Sequence, residues 1–199
     1  LHLPVGCLPA ASVSTAHALS FPPLRAAWLP ATGKDLPPGL SWREAQNTDL
    51  PFFRKLYADV RADELALTPW PDAVRQAFLD SQFTLQHQHY TAHYQPSDYL
   101  VIEDTGTPIG RLYLHHDGRE ANVIDIALLS ATRGRGFGSS LLKLVQQTAH
   151  RDGLASVMLH VEHRNTGARR LYERMGFAVE EDIGSHLRMR WMAAAVALS

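Results

Sequence analysis

The stretch Arg133-Gly134-Arg135-Gly136-Phe137-Gly138, followed at once by Ser139-Ser140-Leu141-Leu142, constrains this chain more than any other. It lies between an alternating apolar run, Ile124-Asp125-Ile126-Ala127-Leu128-Leu129, and a segment in which Leu141, Leu144, Val145 and Thr148 share one helical face. The pattern is a strand, a glycine loop and a helix start. Such a loop exposes several backbone N–H groups, and the helix behind it adds its own unpaired N–H groups and partial positive charge. Together they can cradle a phosphate. An ordinary strand-to-helix turn that uses glycine for left-handed dihedrals would read the same way.

The rest of the chain narrows the context. At 199 residues it suits one well-buried domain with a modest extension. Lys and Arg number 19 against 20 Asp and Glu, so nothing in the charge balance points to a nucleic acid or a membrane as partner. The lone Cys7 can neither close an internal disulfide nor build a metal cluster. No apolar run approaches the roughly 20 residues that span a bilayer. Ala16-His17-Ala18 resembles a small-residue cleavage site, but Pro4, Gly6 and Pro9 break the run before it and no Lys or Arg precedes Arg25. The expectation is a cytoplasmic protein.

Residues 1–39 are proline-rich, with Pro22-Pro23 and Pro37-Pro38, and carry few charges. They are expected to drape on the domain or to be poorly ordered. The domain is expected over 40–191, with a tail over 192–199. A strand begins near Leu40 and a helix runs to about residue 62 with Thr48 or Asp49 as its cap. A second helix spans about 72–93, its apolar face formed by Val74, Phe78, Leu79, Phe83 and Leu85. A hairpin follows over 99–103 and 109–115, then the strand that feeds the glycine loop and the loop's helix. A strand over 156–161, a short helix over 165–175 and two final strands complete an α/β chain in the order β-α-α-β-β-β-α-β-α-β-β.

The second informative block is Asn165-Thr166-Gly167-Ala168-Arg169-Arg170-Leu171-Tyr172-Glu173-Arg174-Met175-Gly176-Phe177. Asn followed by Ala, Leu-Tyr-Glu and Gly-Phe, placed after Arg-x-x-Gly-x-Gly, resembles the GNAT superfamily of acyl-CoA-dependent N-acyltransferases over about residues 40–191. The resemblance implies a mixed, mostly antiparallel central sheet with helices on both faces and strands splayed at an acyl-CoA site. It implies acetyl-CoA as co-substrate. The backbone of Ile126, Ala127 and Leu128 would pair with the pantetheine arm. The loop of Arg133, Gly134, Arg135, Gly136, Phe137, Gly138 and Ser139 would hold the pyrophosphate, and Asn165 would steady the cofactor. As a plain helix cap, Asn165 would look the same.

Tyr172 matches the family's usual general acid, which protonates the departing thiolate, and the N–H of Leu128 would polarise the thioester carbonyl. The same tyrosine would serve equally as an amphipathic residue packed on the sheet. A general base must take the amine's proton. His160 sits where some protein-acetylating members carry a Glu, and its ordinary pKa suits the task; Asp125, Glu162 and a water chain compete. Glu64 and Trp70, in the segment between the early helices, would suit a cationic amine, or be a solvated acid and a packed indole.

The function expected is therefore N-acetyl transfer to a primary amine, of a small molecule or a protein, by direct attack in a ternary complex. Homodimers are common among such relatives. A catalytically silent CoA-binding or interaction module of the same fold is the rival. A nucleotide-binding domain lacks the Lys-Ser/Thr of a P-loop. Among 11 histidines, His89 and His93 share helical spacing, but no carboxylate or Cys completes a site, and no metal is expected.

Overall fold

The computed structural model describes residues 19–23, 27–30 and 36–193. In these residues β1 (Leu40–Glu44) leads through a 3-10 turn at Asn47–Asp49 into α1 (Leu50–Val60), α2 (Ala62–Ala66) and the long α3 (Asp72–His93). Then come β2 (Ser97–Asp104), β3 (Thr107–His116), β4 (Glu120–Leu128), α4 (Phe137–Arg151), β5 (Ser156–Glu162), α5 (Thr166–Arg174), β6 (Ala178–Asp182) and β7 (His186–Met192). The strands form one sheet in the order β1-β2-β3-β4-β5-β7-β6. Only the β4–β5 pair is parallel; the other pairings are antiparallel. That is the mixed, mostly antiparallel sheet expected from the sequence.

The middle of the sheet is buried on both faces, which explains why β2 reads as the continuous run Tyr99-Leu100-Val101-Ile102. Leu100 and Ile102 pack with Leu112, Val157, Leu159 and the α4 residues Leu141 and Val145. Tyr99 and Val101 point the other way, to Phe53, Leu56 and Tyr57 of α1 and Leu79, Phe83 and Tyr90 of α3. Helices thus cover both faces.

Three local expectations are corrected. The first helix stops at Val60, and α2 follows after Arg61. Asp49 does not cap α1 with its side chain; its carboxylate instead accepts the Gln46 N–H and the Arg43 guanidinium, at 2.8 and 2.7 Å. The buried stripe of α3 is Leu79, Phe83, Gln86, His87 and Tyr90, while Val74 and Leu85 are exposed. Leu85 lies about 200° around the helix from Phe83, so it cannot share that stripe.

The described part of the proline-rich extension lies on the domain. The Phe21 ring meets Phe53, His87, Tyr99 and Tyr113. The Trp28 N–H donates to Asp98 Oδ2 at 2.7 Å, its indole Nε1–H donates to Asp152 Oδ2 at 2.9 Å, and Leu29 is buried in the core. Cys7, the stretch 16–18 and residues 194–199 lie outside the described residues.

His87 bonds the Ser20 carbonyl at 2.9 Å from beneath this strap, and burial lowers its pKa from the ordinary imidazole value of 6.5. Burial lowers His89 and His160 in the same direction. Below 6.5 the unfolded chain therefore takes up protons that these folded imidazoles refuse, so stability falls with falling pH. The urea midpoint is expected to drop between pH 7 and pH 5, and to drop less in His87→Gln. A midpoint independent of pH over that interval would contradict the assignment.

Candidate functional site

β4 and β5 run side by side only over residues 120–123 and 156–159. At the next step β4 carries a bulge: Leu114 of β3 faces Val123, but Tyr113 faces Asp125, leaving Ile124 as the extra residue. A bulge bends and twists its strand. It also carries Ile124 to the α1–α3 side, into the cluster that holds Ala127, where strict alternation would have sent it to the opposite face from Asp125. Beyond this point β4 swings away from β5, and the edge it turned toward β5 loses its backbone partners.

The bend has a buried anchor. Arg111 Nη2 of β3 donates to Asp125 Oδ2 at 2.6 Å and to Gln86 Oε1 of α3 at 2.8 Å. Arg111 and Asp125 are 2% and 0% exposed, so the pair stands in a medium where each charge depends on the other. Gly110, beside Arg111, faces Leu128 across the strands; any Cβ there would collide with the Ala127 carbonyl. β3 can therefore hug the last turn of β4 only because residue 110 has no side chain.

A cleft of about 770 Å³ opens where β4 and β5 part, within the range usual for small-molecule sites. One end is the glycine loop. Gly134 and Gly136 have φ of 76° and 83°, and a Cβ at either would meet nothing within 4 Å. α4 begins directly after Gly136 with no side chain capping it, so the first N–H groups of a 15-residue helix are left for another acceptor. The loop is anchored from outside: Asp59 of α1 accepts the Ser130 N–H at 2.7 Å and its hydroxyl at 2.8 Å. Arg133 lines the cleft, its Nε–H donating to the Leu128 carbonyl at 3.2 Å. Arg135 does not line it; that side chain bonds Asp104 at 2.7 Å and lies over the Phe137 ring.

The opposite wall is α5. Asn165 caps it, its Oδ1 accepting the Ala168 N–H at 3.1 Å, and Gly167, Ala168, Leu171, Tyr172 and Arg174 turn toward the cleft. Small side chains at 167 and 168 leave room along the helix. Tyr172 is 1% exposed. Burial pushes its phenol well above the ordinary value, and the Asp125 charge adds to the effect, so the hydroxyl keeps its proton.

The end away from the glycine loop is charged. Arg61, Asp63, Glu64, Glu162 and Arg164 line it. Glu64 bonds Arg61 at 3.1 Å and Arg164 at 3.0 Å, and Arg164 Nε–H donates to Glu162 Oε2 at 2.6 Å. Three carboxylates against two guanidinium groups leave one net negative charge.

Of the residues singled out from sequence, the cleft brings together Ile126, Ala127, Leu128, Arg133, Gly134, Gly136, Phe137, Gly138, Ser139, Asn165, Tyr172, Glu64 and Glu162. Four others stand outside its lining. Asp125 is held by Arg111. His160, half-buried on β5, is lowered by burial and by nearby His186 and Arg188. Trp70 packs edge-on against Phe78. Arg135 is tied to Asp104 as described. Arg61, Arg164 and Arg174 were not singled out by motif; Arg164, next to Asn165, was the most legible of them. His89 and His93 stack at 4.3 Å, and among the described residues no three His, Cys, Asp or Glu side chains gather into a metal-binding group. No described helix is long and apolar enough to cross a membrane.

Residues 54–177 match the Acetyltransferase (GNAT) family. The chain is 36% identical over 73 residues to the uncharacterized N-acetyltransferase YycN of Bacillus subtilis (strain 168), covering 35% of this chain and 47% of that protein. It is 35% identical over 89 residues to the mycothiol acetyltransferase of Corynebacterium glutamicum (strain R), covering 44% and 30%. The chain thus spans half or less of these two relatives' length. Its fold overlays that of the PaiA N-acetyltransferase of Thermoplasma acidophilum, solved in complex with coenzyme A, with a TM-score of 0.60 at 16% identity, over 77% of this chain and 98% of that one.

The Arg111–Asp125 pair makes a prediction about structure distinct from chemistry. Asp125→Ala leaves a buried guanidinium uncompensated and is expected to cost about 3–5 kcal/mol, whereas the Arg111→Met, Asp125→Leu double variant recovers most of that loss. Urea unfolding checks both. A single variant as stable as the parent would mean the pair does not hold the bend.

Proposed function

The chain belongs to the GNAT family of acetyltransferases, and from that premise we propose that it moves the acetyl group of acetyl-CoA to a primary amine by direct attack, with both molecules held in the cleft between β4 and β5. The observation that carries this reading is the polarity of that cleft. Uncapped N–H groups and Arg133 stand at the glycine-loop end, net negative charge stands in the cluster of Asp63, Glu64 and Glu162 with Arg61 and Arg164, and the buried neutral phenol of Tyr172 lines the same cleft.

The residues present fit an acyl-CoA. Open space over Gly134 and Gly136, with the first N–H groups of α4 behind it, suits a pyrophosphate. The unpaired edge of residues 126–128 suits an amide-bearing arm, which can add to it as a further strand would. When bound, acetyl-CoA supplies an activated acetyl thioester. The N–H of Leu128 is assigned to the negative charge that develops on the carbonyl oxygen, and Tyr172 donates its proton to the leaving sulfur.

For the base we assign Glu162 in preference to His160 or Asp125, because of the three it is the one that lines the cleft. Its exposure is only 8%, and Arg164 holds one of its oxygens. The amine is attracted as a cation to the acidic end and gives up its proton there before or during attack. A relative that bears the name mycothiol acetyltransferase supports a small acceptor over a protein surface, and the cluster of charges in the cleft agrees with that choice.

Purified protein, acetyl-CoA and a panel of amines, with free thiol as readout, test the proposal. Tyr172→Phe is expected to lower kcat about a hundredfold while leaving CoA binding intact. CoA binding without turnover on any amine would support a silent module of the same fold, and neither binding nor turnover would remove the acyltransferase reading altogether.

A further inference from the structure

Glu162 has a second partner that no motif announced. On β5 it stands directly opposite His186 of β7, and His186 Nε2 lies 4.0 Å from Glu162 Oε1. The two oxygens of this carboxylate have different surroundings. Oε2 accepts from Arg164 at 2.6 Å, whereas Oε1 is buried and accepts no hydrogen bond among the described residues. Because Oε1 is covered, the small exposed part of Glu162 lies elsewhere on the side chain, and Oε1 looks inward to the imidazole. His186 is 2% exposed, and its other nitrogen, Nδ1, is 2.9 Å from the Ser185 hydroxyl. Ser185 belongs to the turn between β6 and β7, at the surface end of the strand pair.

We propose that His186 is a proton-relay partner of Glu162, taking from the buried carboxylate the proton that the acceptor amine releases and passing it through Ser185 to solvent. The inference rests on the acetyl-transfer reading above. In the step, the amine nitrogen forms the new N–C bond, the C–S bond breaks, and sulfur takes the Tyr172 proton. The ammonium nitrogen gives up two protons in turn, one before attack and one from the tetrahedral adduct, each to Glu162 as its carboxyl turns between the cleft and the imidazole. Oε1 hands each to His186 Nε2, Nδ1–H releases its own to Ser185 Oγ and water, and Tyr172 is reprotonated from solvent, so of the two protons that nitrogen loses one is balanced by the proton on sulfur and one is released to solvent. The 4.0 Å gap exceeds a hydrogen bond, and one bridging water or a small turn of the Glu162 side chain closes it. A base must be freed of its proton before it can act again, and the imidazole supplies a path for that proton on the covered side of Glu162.

The charged and titratable groups around His186 are Glu162 and His160 on β5, Arg164 and His163 after it, Glu181 and Asp182 on β6, and Arg188 on its own strand. His186→Gln keeps the volume and a hydrogen-bonding end but carries no proton across. It is expected to lower kcat about tenfold or more, to leave the KM for acetyl-CoA unchanged, and to alter the acidic limb of the kcat–pH profile. Ser185→Ala should give a smaller loss of the same kind.

Full kcat and an unchanged pH profile in His186→Gln would overturn the relay. So would a Ser185→Ala variant with full kcat and an unchanged pH profile, a result available even if the first variant fails to fold. Failure of the acetyl-transfer reading looks different: the unaltered protein would release no thiol with any amine.

Discussion

The structure depends on a place where two strands stop pairing. β4 and β5 share four residues of parallel ladder and then separate, and backbone groups freed in this way need other partners. A cleft is what remains between them. Everything that defines the site is arranged along it: the glycine loop at the end of β4, the uncapped start of α4, the small-residue wall of α5, and the charged cluster at the end of β5.

Holding strands apart requires something to hold. The bulge at Ile124 turns β4, and the buried Arg111–Asp125–Gln86 contact fixes that turn against α3. Gly110 lets β3 follow β4 through the bend, and Asp59 of α1 ties down the loop just beyond it. At the other side, Arg164 and Glu64 join the segment after β5 to α2 across the cleft. A network of this kind accounts for polar groups in the interior that would otherwise only cost stability. In our account Asp125 shapes the site and Glu162 acts in it.

Much of this was legible in the sequence. The order of strands and helices followed from periodicity and turn residues, because β2, β3, α4 and β5 carry strong apolar patterns that tertiary contacts reinforce. The glycine loop and the Asn165–Phe177 block marked two walls of the cleft, since a loop of left-handed glycines and small residues along a helix leave their mark in the sequence. The bulge was not legible, as nothing in Val123-Ile124-Asp125 distinguishes a bulged strand from a regular one, and with it the facing of Asp125 was lost. The α3 stripe was misread because Val74 and Leu85 are apolar yet exposed, while Gln86 and His87 are polar yet buried for their partners. His186 could not be found either. Its link to Glu162 spans a strand pairing, and pairing between β5 and β7 skips over β6 in the chain.

The central claim is that acyl-CoA lies in the gap between β4 and β5 with its pyrophosphate on the glycine loop. Amide hydrogen exchange with and without CoA tests it directly. The account predicts slowed exchange at residues 126–128 and 134–139, with little change at the outer strands β1 and β6. Protection confined to other segments, or none at saturating CoA, would contradict it.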